Sequence, residues 1–141
     1  MLPITVKSPG FDNVWLPPLM IWLLSKSAYL KNDFNVLTEH LGDKNINSNG
    51  EIEKTPEYIF TRDCEWILDA DFIVADVSNP SLGVGYEIGL AESIGKPILC
   101  LYKKSDRRVS SMITGNQYLT VYGYDTLDEA KKIIDEYVDN I

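Results

Sequence analysis

The fold of this chain is decided by a central stretch that reads Phe72-Ile73-Val74-Ala75-Asp76-Val77-Ser78-Asn79-Pro80-Ser81-Leu82-Gly83-Val84-Gly85-Tyr86-Glu87-Ile88-Gly89. Its first four residues form a continuous apolar run, which is typical of a strand buried on both faces of a parallel sheet. The segment 81–94 then predicts a loop followed by a helix, which Gly95 and Pro97 end. The apolar run 97–102 predicts the next central strand.

Strands and helices also alternate on both sides of this stretch. Helix-like patterns occupy residues 16–30 and 56–69, and strand-like patterns occupy residues 4–6, 36–38 and 119–122. A final helix is expected after the capping box that Thr126 and Glu129 form. This alternation predicts a single α/β domain over residues 1–141, Rossmann-like, with a five-stranded, mainly parallel sheet and helices on both faces.

The composition limits the partners that the chain can have. Its 141 residues are 45% hydrophobic and 24% charged, and the formal net charge is −8. A chain this acidic repels phosphate backbones at long range, so we expect no nucleic-acid polymer as a partner. A small phosphate group can still be held, because local dipoles outweigh the net charge at contact distance.

Cysteine and histidine are too few to build a metal site or a disulfide framework. The chain has two cysteines and one histidine, so we expect no metal, no cofactor and reduced thiols in the cytoplasm. The apolar run 14–24 is far shorter than the roughly 20 residues that cross a bilayer. We therefore expect no membrane partner, with a signal peptide as the alternative interpretation of this run.

The glycine-rich turn lies where parallel sheets bind ligands, beyond the carboxyl end of a strand. Glycines let backbone N–H groups approach a ligand, and the following helix presents its positive end. Ser81 and the backbone N–H groups around Gly83 are therefore candidate hydrogen-bond donors to a phosphate. Glu87 lies close by in the sequence and is a candidate catalytic acid. In the alternative interpretation the glycines serve only close packing, and Glu87 merely complements the helix dipole.

A second acid, Asp63, lies among the apolar positions of the helix predicted over 56–69. The apolar stripe of that helix is Ile59, Phe60, Trp66 and Ile67. Asp63 lies three or four residues from each of these four, so we expect it in the middle of the buried face. Because burying a lone carboxylate is costly, Asp63 must be hydrogen-bonded, paired or functional. The alternative is an aspartate that caps a neighbouring loop. Two carboxylates converging on one cleft can cleave a glycosidic bond.

Several motifs resemble those of the 2'-deoxynucleoside 5'-phosphate N-hydrolases, members of the nucleoside 2-deoxyribosyltransferase superfamily. The resembling segments are Leu37-Thr38-Glu39-His40, Asp63-Cys64-Glu65-Trp66, Ala70-Asp71, Pro80 to Gly89, Ile98-Leu99-Cys100-Leu101 and Ser110-Ser111-Met112-Ile113. The resemblance implies hydrolysis of a small nucleotide, a 2'-deoxynucleoside 5'-monophosphate, to free base and 2-deoxyribose 5-phosphate.

The resemblance also implies roles for individual residues. Glu87 corresponds to a catalytic glutamate that forms a glycosyl-enzyme intermediate, and Asp63 to an aspartate that contacts the sugar and assists proton transfer. Ser81 corresponds to a phosphate-binding serine. Ser111, with Met112 beside it at the substrate, corresponds to a serine that reaches the phosphate bound in the neighbouring subunit, so a homodimer is implied. His40 corresponds to a histidine at the nucleotide site, and the alternative is a strand-end histidine with no ligand.

The first 33 residues depart from the family pattern. The family opens with a strand carrying an aromatic residue and a glycine-serine-isoleucine-arginine-glycine-glycine loop around the phosphate and sugar. Here residues 5–11 show neither the family's tyrosine nor the loop arginine, and Pro9 removes a backbone donor. Only Lys7, Ser8 and Gly10 could substitute, so Ser8 and Gly10 are candidate substrate-binding residues.

Two alternatives to the hydrolase remain open. A nucleoside 2-deoxyribosyltransferase uses the same glutamate but hands the sugar to another base, and the phosphate-directed serines favour the hydrolase over it. A nucleotide-binding module without catalysis is the third candidate, because the first loop is changed. A basic cluster at 103–108 could draw an anionic nucleotide toward the site or be a solvated loop.

Overall fold

The computed structural model describes the backbone of residues 21–26 and 34–36 and the full structure of residues 54–104 and 108–141. The strand predicted at residues 4–6 and the candidate site residues Ser8, Gly10 and His40 lie outside the described residues. No helix within the described ranges is long and apolar enough to cross a membrane.

Five strands and four helices follow one another in the described part of the chain. They are β1 (Ile21–Lys26), β2 (Phe34–Val36), α1 (Pro56–Asp69), β3 (Phe72–Asp76), α2 (Leu82–Ser93), β4 (Ile98–Lys103), α3 (Ser111–Thr114), β5 (Thr120–Tyr124) and α4 (Leu127–Val138). The structure confirms four expected elements, which are the helices at 56–69 and after 126 and the strands at 72–75 and 97–102. The strand expected at 119–122 is shifted by one or two residues.

The sheet has a parallel part and an antiparallel part, in the strand order β2-β1-β3-β4-β5. Strands β3, β4 and β5 are parallel, and Cys100 in β4 pairs with Ala75 on one side and Val121 on the other. Strand β1 runs antiparallel to both β2 and β3. An α/β fold with three parallel strands is thus confirmed. The expectation that the five-stranded sheet is mainly parallel is wrong in part, because both pairs that β1 forms are antiparallel.

The helix predicted over residues 16–30 is wrong, because β1 lies within that range. Ile21 pairs with Ala75 and Leu24 with Phe72, so this segment continues the sheet beside β3. Its residues 21–24 are apolar at every position, and such a run fits a buried strand as well as a buried helix. The predicted strand at 36–38 overlaps β2 only at Val36.

Helices cover both faces of the parallel strands. Phe72 and Val74 of β3 pack with Ala130 and Ile134 of α4 in one apolar cluster. Ile73 and Ala75, which alternate with them along the strand, belong to a second cluster with Ile67 of α1 and with Val84, Ile88 and Ala91 of α2. Both faces are buried, which explains why β3 lacks an alternating polar pattern.

Caps define the ends of the helices that carry the candidate site. The Thr55 side chain accepts a hydrogen bond from the Tyr58 N–H at the start of α1. At its end, Lys96 Nζ donates to the carbonyl oxygens of Leu68 and Ala70, at 2.6 Å each. A cation at this position neutralises carbonyls that have no partner within the helix. The expected cap of α4 is confirmed, since Thr126 Oγ1 accepts from the Glu129 N–H at 3.2 Å.

Candidate active site

The turn after β3 is anchored to the neighbouring strands by Asp76. One carboxylate oxygen of Asp76 accepts the Ser78 N–H at 2.8 Å, and the other accepts the Tyr124 hydroxyl at 2.9 Å. Ser78 Oγ in turn accepts the Lys103 N–H at 2.8 Å. Burial and the charge of Asp76 raise the pKa of Tyr124 to about 12, which keeps its hydroxyl a donor. The turn that leads into α2 therefore has a fixed position at the carboxyl edge of the sheet.

Ser81 is the N-cap of α2, and its Oγ accepts the Val84 N–H at 3.3 Å. The hydroxyl hydrogen of Ser81 can still be donated to a ligand, because this contact uses only an acceptor lone pair. Gly83 lies in the first turn and is exposed. Among the described residues, a Cβ at Gly83 would meet only Ser81 Oγ, at 3.9 Å, and one at Gly85 or Gly89 would meet nothing within 4 Å. Close packing against the described residues therefore does not require these glycines, and none of those residues crowds the start of α2.

Glu87 is a half-buried residue one helical turn after Gly83. Residues four apart lie on the same face of a helix, about 6 Å apart along its axis. Burial, and secondarily the charge of Asp63, raises the pKa of Glu87 from 4.5 to about 7. The carboxyl group of Glu87 therefore keeps its proton to a higher pH than a solvated glutamate does.

Asp63 lies on α1 and acts electrostatically on Glu87 across the interface between α1 and α2. Both carboxylates also raise the pKa of the Cys64 thiol, after a larger effect of burial. The interaction of Asp63 with Glu87 is that of two like charges at close range, which opposes the ionisation of both together. The structure therefore brings together the two acids that the sequence singled out.

The expectation that Asp63 sits in the middle of a buried face is wrong in detail. Its side chain is 22% exposed, and Phe60, on the same predicted stripe, is 55% exposed. The buried residue of α1 is Ile67, near the end of the helix. The helix thus packs on the sheet through its last turns, and its earlier turns extend to the surface.

Arg62 contacts Asp63 directly, which the sequence did not reveal. Its Nη2 lies 2.8 Å and its Nε 2.9 Å from Oδ1 of Asp63. Its guanidinium also lies 4.4 Å from the centroid of the Trp66 ring. Adjacent residues on a helix do not ordinarily face each other, so nothing in the spacing pointed to the pair. The four-residue spacing of Arg62 and Trp66 was the signal that could have drawn attention to it.

A cleft of about 660 Å³ lies on the other side of α2. It is bounded by the turn after β3, by α2 and by α3, and its polar lining includes Ser78, Ser81, Glu92, Arg108, Ser110 and Asn116. Glu87 does not line this cleft, whereas Gly85 and Gly89 do. Glu87 is two residues from each of these glycines, and side chains two residues apart on a helix point in different directions. Ser81 lies at the start of α2, so its hydroxyl can reach a ligand in this cleft or on the helix face that carries Glu87.

Ser111 and Met112 form the start of α3, and both are exposed. Met112 lines the cleft with 81% of its surface exposed, whereas Ser111 does not line it. The N-cap of α3 is Ser110, whose Oγ accepts the Met112 N–H at 3.3 Å. Within this chain, Ser111 is thus a surface residue.

A metal site in the described part of the chain would need several ligands at one point. Within the described ranges, no group of three or more histidine, cysteine, aspartate or glutamate side chains could hold a metal ion. The candidate residues His40, Ser8 and Gly10 lie outside the described ranges and stay sequence predictions.

Proteins that are similar in sequence identify the family to which this chain belongs. The model of the nucleoside 2-deoxyribosyltransferase family matches residues 22–132. A protein of Tetraodon nigroviridis named 5-hydroxymethyl-dUMP N-hydrolase is 37% identical over 118 residues, which cover 80% of this chain and 82% of that protein. A protein of the same name from Danio rerio is 38% identical over 110 residues, covering 76% and 77% of the two chains.

A solved structure shares the fold. The CMP N-glycosidase of Clostridium botulinum superposes with a TM-score of 0.52 at 23% identity, over 60% of this chain and 71% of that chain. The match of the family model over most of the chain, together with relatives that align over most of their length, confirms the resemblance found in the motifs. The chain belongs to the nucleoside 2-deoxyribosyltransferase family.

Proposed function

We propose that this protein hydrolyses the N-glycosidic bond of a 2'-deoxynucleoside 5'-monophosphate, giving a free base and 2-deoxyribose 5-phosphate. The observation that carries the proposal is the pair of carboxyl groups, Glu87 and Asp63, beside the open start of α2. The names of the Tetraodon and Danio relatives, both 5-hydroxymethyl-dUMP N-hydrolases, support the substrate class.

The proposed reaction proceeds in two displacements at the anomeric carbon. The ionised carboxylate of Glu87 attacks C1', and the C1'–N bond breaks with its electron pair going to the base, which takes up a proton. Water then attacks C1' of the glycosyl ester, loses a proton, and releases Glu87 as a carboxylate. A carboxylate nucleophile divides one difficult displacement into two easier ones. Asp63 contacts the sugar and assists the proton transfers.

The start of α2 is the proposed site for the 5'-phosphate. Its first N–H groups have no partners within the helix, and the helix dipole favours an anion there. Ser81 adds a hydroxyl donor, and Gly83 has no side chain to obstruct the approach. Phosphate held here places the sugar along the face that carries Glu87. Binding energy from this remote group then accelerates the step at C1'.

Ser111 enters the proposal through a homodimer. It does not line the cleft of its own chain, and Met112 beside it exposes most of a large apolar side chain. An exposed methionine next to a serine suits a surface that a second copy covers. In the dimer, Ser111 of one subunit would reach the phosphate bound in the other. Both cysteines are free thiols, which supports the proposed cytoplasmic location.

Transfer of the sugar to a second base is the other candidate reaction. It is favoured by the name of the matching family, nucleoside 2-deoxyribosyltransferase. Both reactions share the glycosyl-enzyme ester and differ in whether water or a base resolves it.

Incubation with deoxynucleotides separates these candidates. The protein is mixed with each deoxynucleoside 5'-monophosphate, with and without a second free base, and the products are separated by chromatography. Free base and 2-deoxyribose 5-phosphate identify the hydrolase, and a new nucleotide identifies the transferase. Calorimetric binding of a monophosphate without any base release identifies a binding module and contradicts the proposal. Ribonucleotides and unphosphorylated deoxynucleosides in the same assay test the need for the 2'-deoxy sugar and the phosphate.

A further inference from the structure

Arg62 is a largely buried cation beside the carboxyl pair, with 11% of its side chain exposed. Its guanidinium lies 4.4 Å from the ring centroid of Trp66 and 5.8 Å from that of Tyr58. Tyr58 and Trp66 lie one turn before and one turn after Arg62, so the three side chains share one face of α1. A planar guanidinium stacks well on aromatic rings, which restricts where it can point.

Two nitrogens of Arg62 contact the same oxygen of Asp63. Nη2 and Nε lie 2.8 and 2.9 Å from Oδ1. A carboxylate offers lone pairs on two oxygens, so this arrangement leaves Oδ2 of Asp63 available to another donor. A guanidinium at this distance also stabilises the negative charge of the carboxylate.

We propose that Arg62 is a positioning residue for the reaction: it orients Asp63 through Oδ1, stabilises its charge, and leaves Oδ2 to accept a hydrogen bond from a deoxyribose hydroxyl. This inference rests on the proposed function, because it assigns a role within the same site. Arg62 acts through Asp63 and does not itself react with the substrate. The aromatic rings of Tyr58 and Trp66 hold the cation in place.

The arrangement has a consequence for the ionisation of the pair. Glu87 must lose its proton to attack C1', and the pair then carries two negative charges. Arg62 stabilises that doubly ionised state, so its removal should make the last proton leave at a higher pH. The thiol of Cys64 on α1 interacts with both carboxyl groups, Tyr86 adjoins Glu87 on α2 and contacts Phe60 of α1, and the thiol of Cys100 lies in the cluster beneath α2. The remaining residues packed under α2 from β3 and β4 are apolar.

The test is the pH dependence of kcat/KM for base release by the wild type, Arg62→Gln and Arg62→Lys. The wild-type value should rise with pH through about 7, following the ionisation of Glu87. In Arg62→Gln the same rise should occur at higher pH, with a loss on the order of tenfold at neutral pH that is recovered in alkaline solution. Arg62→Lys keeps the charge, so its rise should stay close to that of the wild type.

Lys132→Met is the matched control, because Lys132 forms an exposed pair with Glu136 on α4, on the other face of the sheet. It should leave the profile unchanged. A loss in Arg62→Gln that is equal at every pH is what a merely structural role produces, and it overturns the inference. So does a wild-type profile in that variant.

A double-mutant comparison keeps the inference testable if Arg62→Gln folds poorly. In the Asp63→Asn variant, the carboxylate whose charge Arg62 compensates is already gone. Adding Arg62→Gln to that variant should therefore shift the pH profile far less than Arg62→Gln does alone. A shift of full size in that background contradicts action through Asp63. Carboxyl NMR titration of Glu87 measures the same shift without turnover. Absence of base release by the wild type counts against the proposed function, whereas the titration still tests Arg62.

Discussion

Asp63 on α1 lies close enough to Glu87 on α2 for its charge to add to the effect of burial, and together they raise the pKa of Glu87 to about 7. Two like charges at close range cannot both ionise easily, so the pair retains a proton near neutral pH. A folded protein that retains a proton which its unfolded chain releases loses stability as the pH rises. The pair is therefore a source of instability at neutral and alkaline pH.

Replacing Glu87 with Gln should stabilise the protein in alkaline solution. The folded-state pKa of Glu87 is raised above 4.5, so the stability that the neutral carboxyl provides is complete below pH 4.5 and is lost as the pH rises through about 7. The rise corresponds to about 3 kcal/mol of ionisation cost in the folded state. The variant's advantage in free energy of unfolding should therefore widen by about 2 kcal/mol between about pH 5.5 and about pH 8.

Urea unfolding at the two pH values measures this difference. Glu65→Gln, at an exposed position of α1, is the control and should show no such widening. Equal pH dependence in the wild type and Glu87→Gln would mean that the carboxyl of Glu87 is solvated like any surface acid.

Replacing Asp63 with Asn should slow base release by about 10²-fold or more, because the carboxylate proposed to bind the sugar and assist proton transfer is lost. The same change removes a negative charge that raises the pKa of Glu87, so the rise of kcat/KM should move to lower pH. This direction is opposite to the one expected for Arg62→Gln. Steady-state kinetics across the pH range measures both effects, and wild-type rates in Asp63→Asn would return this residue to a structural role.

Subunit mixing tests the proposed contribution of Ser111 across a dimer. Ser111→Ala should lose much of its preference for a monophosphate over a nucleoside, and Glu87→Gln should be inactive. A heterodimer of the two contains one site with an intact Glu87 from one chain and an intact Ser111 from the other. Mixing should therefore restore about half of the wild-type activity per heterodimer, if subunits exchange freely. No gain on mixing, with exchange verified by mass, argues against a shared site.

Lys96 should stabilise the fold without contributing to catalysis. Its ammonium donates to two carbonyl oxygens at the end of α1, both at 2.6 Å. Lys96→Met leaves these oxygens without the cation and should lower the free energy of unfolding by about 1–3 kcal/mol. Chemical denaturation measures the loss, with Lys132→Met as a control that should change stability by less than about 0.5 kcal/mol. A loss no greater than in the control would show that solvent replaces the contact.

The sequence predicted the elements of the fold best where local signals agreed. The bounds of α1 were expected from Pro56 and its apolar pattern, and the cap of α4 from Thr126 and Glu129. The segment containing β1 was misassigned because a run that is apolar at every position carries no period. Its antiparallel pairing with β3 is a long-range property that no local pattern records.

The candidate site was also only partly predictable from the sequence. Glu87 and Asp63 were singled out by spacing and resemblance, and the structure brings them together. The partly exposed setting of Asp63 was missed because the periodicity of α1 describes which residues could be buried, not how far the sheet extends beneath them. Arg62 was missed because its pairing with an adjacent residue depends on stacking against Trp66.

Mass spectrometry of the enzyme quenched with acid during turnover tests the central claim most directly. If the carboxylate of Glu87 attacks the anomeric carbon, the peptide containing Glu87 carries one 2-deoxyribose 5-phosphate in ester linkage, and the same peptide from Glu87→Gln carries none. A sugar adduct on another residue, or rapid base release by Glu87→Gln, would contradict the account.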